Sequence, residues 1–262
     1  MIDDKIISSI DLKAELDKLP DQRFFSTGMA YLDKLTGKFA EGDFVIIGGS
    51  AKSGKTSLAI TLTRNFINQK INCLWFEIEL PYKEFLERFG KELPVFYLPK
   101  VLKVPTLTWL EQKIDEAIKN FDTKIVFIDD LGMITDEELY HQNNAVDILD
   151  ARLMRLKRMA IKKNICIVGI NPLLAASLRK KKTELDTSDF RGTARIGYTA
   201  DLLLGIDRMI GLNKIRTAQE TEEKEFFTDT QTYIYILDCR RLGTRKIRIA
   251  CHLDEEGFIL ED

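Results

Sequence analysis

A chain of 262 residues, 45% hydrophobic and 31% charged, is long enough to bury a full core, and its longest apolar runs, residues 44–47 and 165–170, are too short to span a membrane. The formal net charge of −2 excludes a bulk polycation, so any nucleic-acid contact has to come from local basic clusters. Residues 1–17 lack the basic start and apolar core of an export signal, and four scattered cysteines with only His141 and His252 offer neither a disulfide framework nor a zinc site, as expected of a cytoplasmic protein.

Along the chain, residues 1–20 carry Ile6, Ile7, Ile10 and Leu16 near helical spacing, a separate piece that needs a surface to pack on. Residues 43–49 read as a strand, 54–68 as a helix, 72–80 as a second strand, 82–89 as a helix and 95–98 as a short strand. Thr108 and Glu111 have capping-box spacing, and behind them Leu110, Ile114, Ala117, Ile118 and Phe121 form one helical face. Residues 124–129 are a further buried strand. Val146, Leu149, Leu153, Leu156 and Ala160 recur as in a long amphipathic helix, whose Arg152, Arg155, Lys157, Arg158, Lys162 and Lys163 are expected on its solvent face. Residues 165–171 form the fourth core strand. After residues 201–206 the pattern shortens to hairpin-like strands at 232–238, 246–251 and 257–260. The segments 173–199 and 211–230 are polar and poorly periodic, and loops of that length inside a domain are usually functional or mobile. The alternation predicts an α/β fold with a central, mostly parallel sheet flanked by helices and ending in antiparallel strands. The expected division is a linker or helix over residues 1–24 and one domain over 25–262.

Gly49-Ser50-Ala51-Lys52-Ser53-Gly54-Lys55-Thr56 satisfies G-x-x-x-x-G-K-[ST] in full, between an apolar strand and an apolar-periodic helix that continues through Ser57. Glycines let successive amides turn inward around phosphate while the helix directs its positive end at the anion. Lys55 can then reach the β/γ oxygens of ATP, and the Thr56 hydroxyl can ligate Mg²⁺. The strand 125–128 ends in Asp129, placing a carboxylate beside this loop to hold the metal; Asp130 is a second acid there or a solvated neighbour. Orienting or deprotonating an attacking water takes a third carboxylate. Glu77 and Glu79 alternate on one strand and so share a face, with Glu79 nearer the C-terminal edge.

With the lead-in Ser26-Thr27-Gly28, Leu32-Asp33-Lys34-Leu35-Thr36-Gly37 and Glu41-Gly42-Asp43, the motif order resembles RecA-type P-loop ATPases. More specifically it is similar to the C-terminal motor domain of DnaB-type hexameric replicative helicases, from about Phe25 to Ile249. The resemblance implies that Glu79 is the catalytic base, Asp129 the metal ligand, and Asn171 the sensor of the γ-phosphate, where glutamine is common in the family. It implies that Arg241 in Cys239-Arg240-Arg241-Leu242-Gly243 is an arginine finger for the neighbouring subunit's ATP, although the family's companion lysine is replaced by Cys239. Ser188-Asp189-Phe190-Arg191 resembles the loop that faces the ring's channel. Residues 1–24 stand where the family carries a collar domain, and they resemble its linker helix.

Arg179, Lys180, Lys181 and Lys182, with Arg191 and Arg195, lie in the polar segment after the fourth strand. Such a cluster is either solvated or able to neutralise phosphates of single-stranded DNA without reading sequence, and its place in the channel-facing region favours DNA. Arg245, Lys246 and Arg248 face solvent or a neighbouring subunit. The expected function is an ATP·Mg²⁺-dependent DNA translocase or helicase motor, a homo-oligomer assembled as a hexameric ring and not membrane-bound. The alternative is a RecA- or KaiC-like ATPase serving as a nucleotide-switched signalling, scaffold or recombination protein without unwinding.

Overall fold

Five segments of the chain are apolar on consecutive rather than alternate residues, the pattern of strands buried on both faces. The computed structural model, which describes residues 5–135, 145–172, 185–189, 193–208 and 231–262, pairs these segments in parallel. They are β3 (Phe44–Gly49), β4 (Cys73–Glu77), β5 (Ile125–Asp129), β6 (Cys166–Pro172) and β7 (Leu202–Arg208). Beyond β7 the chain adds β8 (Gln231–Cys239), β9 (Ile247–Leu253) and β10 (Ile259–Glu261) antiparallel, giving an eight-stranded sheet in the order β10-β9-β8-β7-β3-β6-β5-β4. The α/β class with C-terminal antiparallel strands is the one expected.

Each face of the sheet has its own core. On one face, Val45, Ile47, Trp75, Phe127 and Val168 meet α3 (Lys55–Asn68) through Leu58, Leu62 and Phe66. Trp75 stacks on Phe127 with ring centroids 4.7 Å apart, and its indole N–H donates to Thr63 Oγ1 at 2.9 Å. On the other face, Phe44, Ile46, Phe76 and Ile128 meet α5 (Leu107–Phe121), α6 (Ala145–Lys163) and α7 (Thr193–Thr199). The predicted periodicity of α6 lands Leu149, Leu153, Leu156 and Ala160 in that core; burying a leucine contributes about 1.5–3 kcal/mol.

The lead-in motif is a clasp. Residues 26–28 follow β1 (Phe24–Phe25), which pairs with β2 (Phe39–Ala40) around α2 (Ala30–Thr36). The Asp33 carboxylate accepts from the Thr27 amide at 2.9 Å and the Thr27 hydroxyl at 2.7 Å. Glu261 closes the same unit from β10, accepting from the Tyr31 and Leu32 amides at the start of α2. By contrast α1 (Ser9–Leu16) has no buried residue, and residues 5–24 are exposed throughout.

Four expectations shift for identifiable reasons. The strand expected over 72–80 stops at Glu77, since the Ile78 amide makes the last bond to β5 and Pro81 starts α4 (Tyr82–Glu87). Residues 95–98 contribute only a bridge between Tyr97 and Leu74, because Pro94 and Pro99 limit pairing on both sides. The cap of α5 is Thr106, whose side chain accepts from the Trp109 amide at 3.1 Å. Burial of Leu107 draws the helix start two residues ahead of Thr108. Finally, Arg152 is buried, reaching from α6 to donate to Leu131 O at 3.0 Å, and Lys157 donates to Gly42 O at 2.7 Å, so the basic face of α6 is partly inside the molecule.

Candidate active site

The parallel strands end along one edge, and there β3 turns through residues 50–54 into α3. Two glycines are dictated by space and conformation. A Cβ on Gly49 would lie 2.3 Å from Ser53 Oγ and 2.5 Å from Ile206 O, and Gly54 takes φ +102° as the N-cap of α3. No side chain caps α3 and its first turn holds no acid, so its leading amides and positive end face the loop. Ser50, Ala51 and Lys52 form the outer rim, while Ser53 is buried with its hydroxyl unmatched. Ser57 lies in the first turn of α3 and its carbonyl accepts from the Thr61 hydroxyl. Lys55 folds back across the loop, donating from Nζ to Ser50 O at 2.9 Å. Burial lowers its pKa, opposed by the charges of Asp129, Glu79 and Asp130.

Asp129 ends β5 directly beside the loop, and its Oδ2 accepts from the Thr56 hydroxyl at 2.7 Å. Burial pushes its pKa up to about 6, opposed by the Thr56 bond. The peptide between Asp129 and Asp130 is cis. Asp130 turns away to accept from the Met133 amide, capping a 3₁₀ turn. The predicted pair of glutamates separates: Glu79 is exposed beyond the strand, while Glu77 is fully buried at its end. Burial and then the Asp129 charge push Glu77 up to about 7. Asn171 on β6 stands opposite Gly48 of β3; it is 1% exposed and its side-chain N–H₂ has no partner.

The edge therefore gathers Lys55, Thr56, Asp129, Glu79 and Asn171, with unmatched buried polar atoms on Ser53, Glu77 and Asn171. Loop amides, a helix N-terminus and an ammonium suit a phosphate chain. A hydroxyl and a carboxylate oxygen side by side suit a hard divalent cation completed by phosphate oxygens and waters. Among the described residues no three acids, histidines or cysteines form a metal cage by themselves, which is the sparse protein ligation Mg²⁺ requires.

Arg241 is placed elsewhere. It lies at the opposite edge of the sheet, roughly 20 Å away along a strand of β3's length. There its guanidinium donates to both Asp43 oxygens at 2.7 and 2.8 Å and to Lys38 O at 2.9 Å. Cys239 is buried against Thr36 O. The basic positions Arg179, Lys180, Lys181, Lys182 and Arg191 lie outside the described residues, as do Phe190 and residues 209–230; Arg195 is on α7, but its side chain is not among those described. Arg245 pairs with Asp238 and Arg248 lies over the Tyr233 ring. Sequence reading passed over Glu77 as a buried group and Asp43 as the partner of Arg241. The signal for Glu77 was its place level with Asp129 on the adjacent parallel strand. No signal in the sequence pointed to Asp43. Among the described residues no helix is long and apolar enough to cross a membrane.

The family model described as "DnaB-like helicase C terminal domain" matches residues 25–94, the clasp, the P-loop and β4. The replicative DNA helicase DnaB of Treponema pallidum (strain Nichols) is 24% identical over 226 residues, covering 70% of this chain and 48% of that protein. That of Haemophilus influenzae (strain ATCC 51907 / DSM 11121 / KW20 / Rd) is 24% identical over 233 residues, covering 77% and 50%. The chain thus spans about half the length of these curated relatives. In fold, it matches a DnaB-like replicative helicase, solved in a study of that protein's interactions with primase, with a TM-score of 0.75 at 15% identity, covering 99% of this chain and 68% of that one. It also matches an ATPase domain solved by itself, with a TM-score of 0.76 at 16% identity, covering 96% of both chains. The chain is a RecA-like P-loop domain resembling the C-terminal motor domain of DnaB-type hexameric replicative helicases.

Proposed function

We propose that this chain is an ATP-driven DNA translocase or helicase motor of the DnaB type, working in the cytoplasm as a hexameric ring with ATP·Mg²⁺ bound between subunits. The observation that carries the reading is the grouping of the P-loop with Asp129 and Glu79 at one sheet edge, in a chain whose relatives are replicative DNA helicases. Residues 49–57 would hold the triphosphate, with Lys55 on its β/γ oxygens, and Thr56 and Asp129 would hold Mg²⁺, which supplies charge neutralisation on the phosphates. Glu79, exposed and acting electrostatically on both Lys55 and Asp129, would take the proton of the attacking water. Asn171 would donate its free N–H₂ to the γ-phosphate.

Arg241 cannot serve the P-loop of its own chain from the far edge of the sheet, which supports a role on a neighbour's nucleotide. Residues 25–262 would be the motor and residues 1–24, exposed along their described length, a linker that docks on an adjacent subunit. Arg179, Lys180, Lys181, Lys182, Arg191 and Arg195 would contact single-stranded DNA through phosphate charge.

The test is ATP turnover with and without single-stranded DNA, followed by displacement of a labelled strand from a forked duplex. Stimulation by DNA that is lost in an Arg179→Ala, Lys180→Ala double variant supports the motor. Hydrolysis indifferent to DNA, with no strand displaced, returns the chain to the nucleotide-switched scaffold reading.

A further inference from the structure

The turn that carries Glu79 is built in an unusual way. At the end of β4 the Ile78 amide makes the final ladder bond, to Asp129 O at 2.7 Å. The chain then leaves the sheet, and the next two amides have no strand to meet. Both are taken by one atom: Glu77 Oε1 accepts from the Glu79 amide at 2.9 Å and from the Leu80 amide at 2.8 Å. Glu77 is fully buried, and its other oxygen, Oε2, has no hydrogen-bond partner. A carboxylate sequestered beside Asp129 is costly, and any short polar side chain that reached would satisfy two amides. Charge-assisted bonds to backbone amides are about twice as strong as neutral ones.

The far end of the turn is fixed independently. Pro81 opens α4, Phe85 packs on Trp75 with centroids 4.9 Å apart, and the Tyr82 hydroxyl donates to Pro99 O at 2.9 Å. Between that anchor and the sheet, Glu77 is what fixes the backbone of residues 79 and 80. We infer that Glu77 is a positioning residue, whose Oε1 clamps the turn so that the Glu79 carboxylate stays over the Lys55–Asp129 pair.

The inference rests on the proposed role of Glu79 as base, so the experiment separates the two. In the full chain, Glu77→Ala should lower kcat for ATP by about 10²-fold, the effect of an ångström-scale misplacement, with little change in the Kd for Mg²⁺·ADP. Glu77→Gln keeps an acceptor oxygen at the same reach and should recover turnover to within about tenfold of the parent. Hydrogen exchange of a peptide spanning residues 78–82 should be faster in the alanine variant and near parental in the glutamine variant. Parental kcat in Glu77→Ala overturns the inference, whether or not exchange accelerates. So does a glutamine variant as inactive as the alanine one, which would make the charge of Glu77, not its acceptor geometry, what matters. Glu79→Gln, measured alongside, isolates the other assumption. If it turns over ATP like the parent, the base assignment itself falls, and with it the positioning role, even where exchange shows the clamp intact.

Discussion

The two edges of the parallel sheet are made by the same strands, yet one is electrostatically closed and the other open. At the N-terminal edge, Asp43 and Asp201 are matched within the chain: Asp43 by Arg241 and the Ala40 amide, Asp201 by Lys157, Arg240 and the Phe44 amide. At the C-terminal edge, Ser53, Glu77 and Asn171 each keep a buried atom without a partner, acids crowd around one lysine, and α3 begins uncapped. A buried polar atom without a partner costs about 1–3 kcal/mol, so such atoms persist where something else completes them. The closed edge holds the fold, and the open edge is shaped for a ligand.

Arg241 tests this division most severely, because it is matched at the closed edge and proposed to act on the open edge of a neighbour. Arg241→Ala is expected to reduce ATP turnover by about 10³-fold or more, with nucleotide affinity retained. Lys55→Ala should be similarly inactive through its own P-loop. Mixed together, the two variants should regain turnover, since an interface pairing the first variant's P-loop with the second's arginine is complete. Phosphate release measured across mixing ratios decides it: a mixture as inactive as its components leaves Arg241 with no role beyond its pair with Asp43.

Stability should divide the edges in the opposite sense. Asp43→Ala leaves a half-buried guanidinium and the Ala40 amide without their acceptor, and is expected to cost about 1–3 kcal/mol in urea unfolding. Ser53→Ala removes a hydroxyl that has no partner and should leave the nucleotide-free protein as stable as before, or more so. Equal losses in the two variants would mean that the edges are not distinct.

A gentler perturbation is pH. Burial raises Asp129 to about 6 and Glu77 to about 7, above the ordinary carboxylate values of the unfolded chain. Between those ordinary values and about 7 the folded protein binds more protons than the unfolded one, so these groups make stability fall as pH rises through the window and level off above it. In Mg²⁺-free buffer, melting temperatures from pH 5 to 8 should fall less in Asp129→Asn than in the parent. An identical slope in the two proteins would remove the open edge as its source.

Much of this was legible in the sequence, unevenly. The P-loop, Asp129 and the parallel core could be read because local pattern carries them: a fixed spacing, an apolar strand ending in an acid, and uninterrupted buried runs such as residues 44–47. Glu77 and Glu79 were harder, because where a strand ends depends on what its neighbour offers. β5 stops at Asp129, which leaves Glu79 outside the ladder and Glu77 inside the core. Asp43 was illegible as a partner, since 198 residues separate it from Arg241 and only the folded sheet joins them. Arg152 misled for a related reason. A long side chain on an amphipathic helix can bend inward to a carbonyl that periodicity does not see.

The smallest expected effect separates polar atoms that serve the fold from those that await a ligand, within the open half of the molecule. After leaving the C-terminal edge at β4, the chain passes through α4 and starts α5 at Thr106, whose hydroxyl satisfies the Trp109 amide. Because that amide is matched, Thr106→Ala should cost about 1 kcal/mol, a fall in melting temperature of about 2–4 °C. Nucleotide affinity should not move, as the cap touches none of the P-loop residues. Thr108→Ala, by contrast, removes only an exposed bond from Arg155 and should shift stability by no more than about 0.5 kcal/mol. The ordering matters more than either value. If Thr108 proved the costlier position, the helix would begin where its capping-box spacing predicts, and the burial of Leu107 would not be what sets its start.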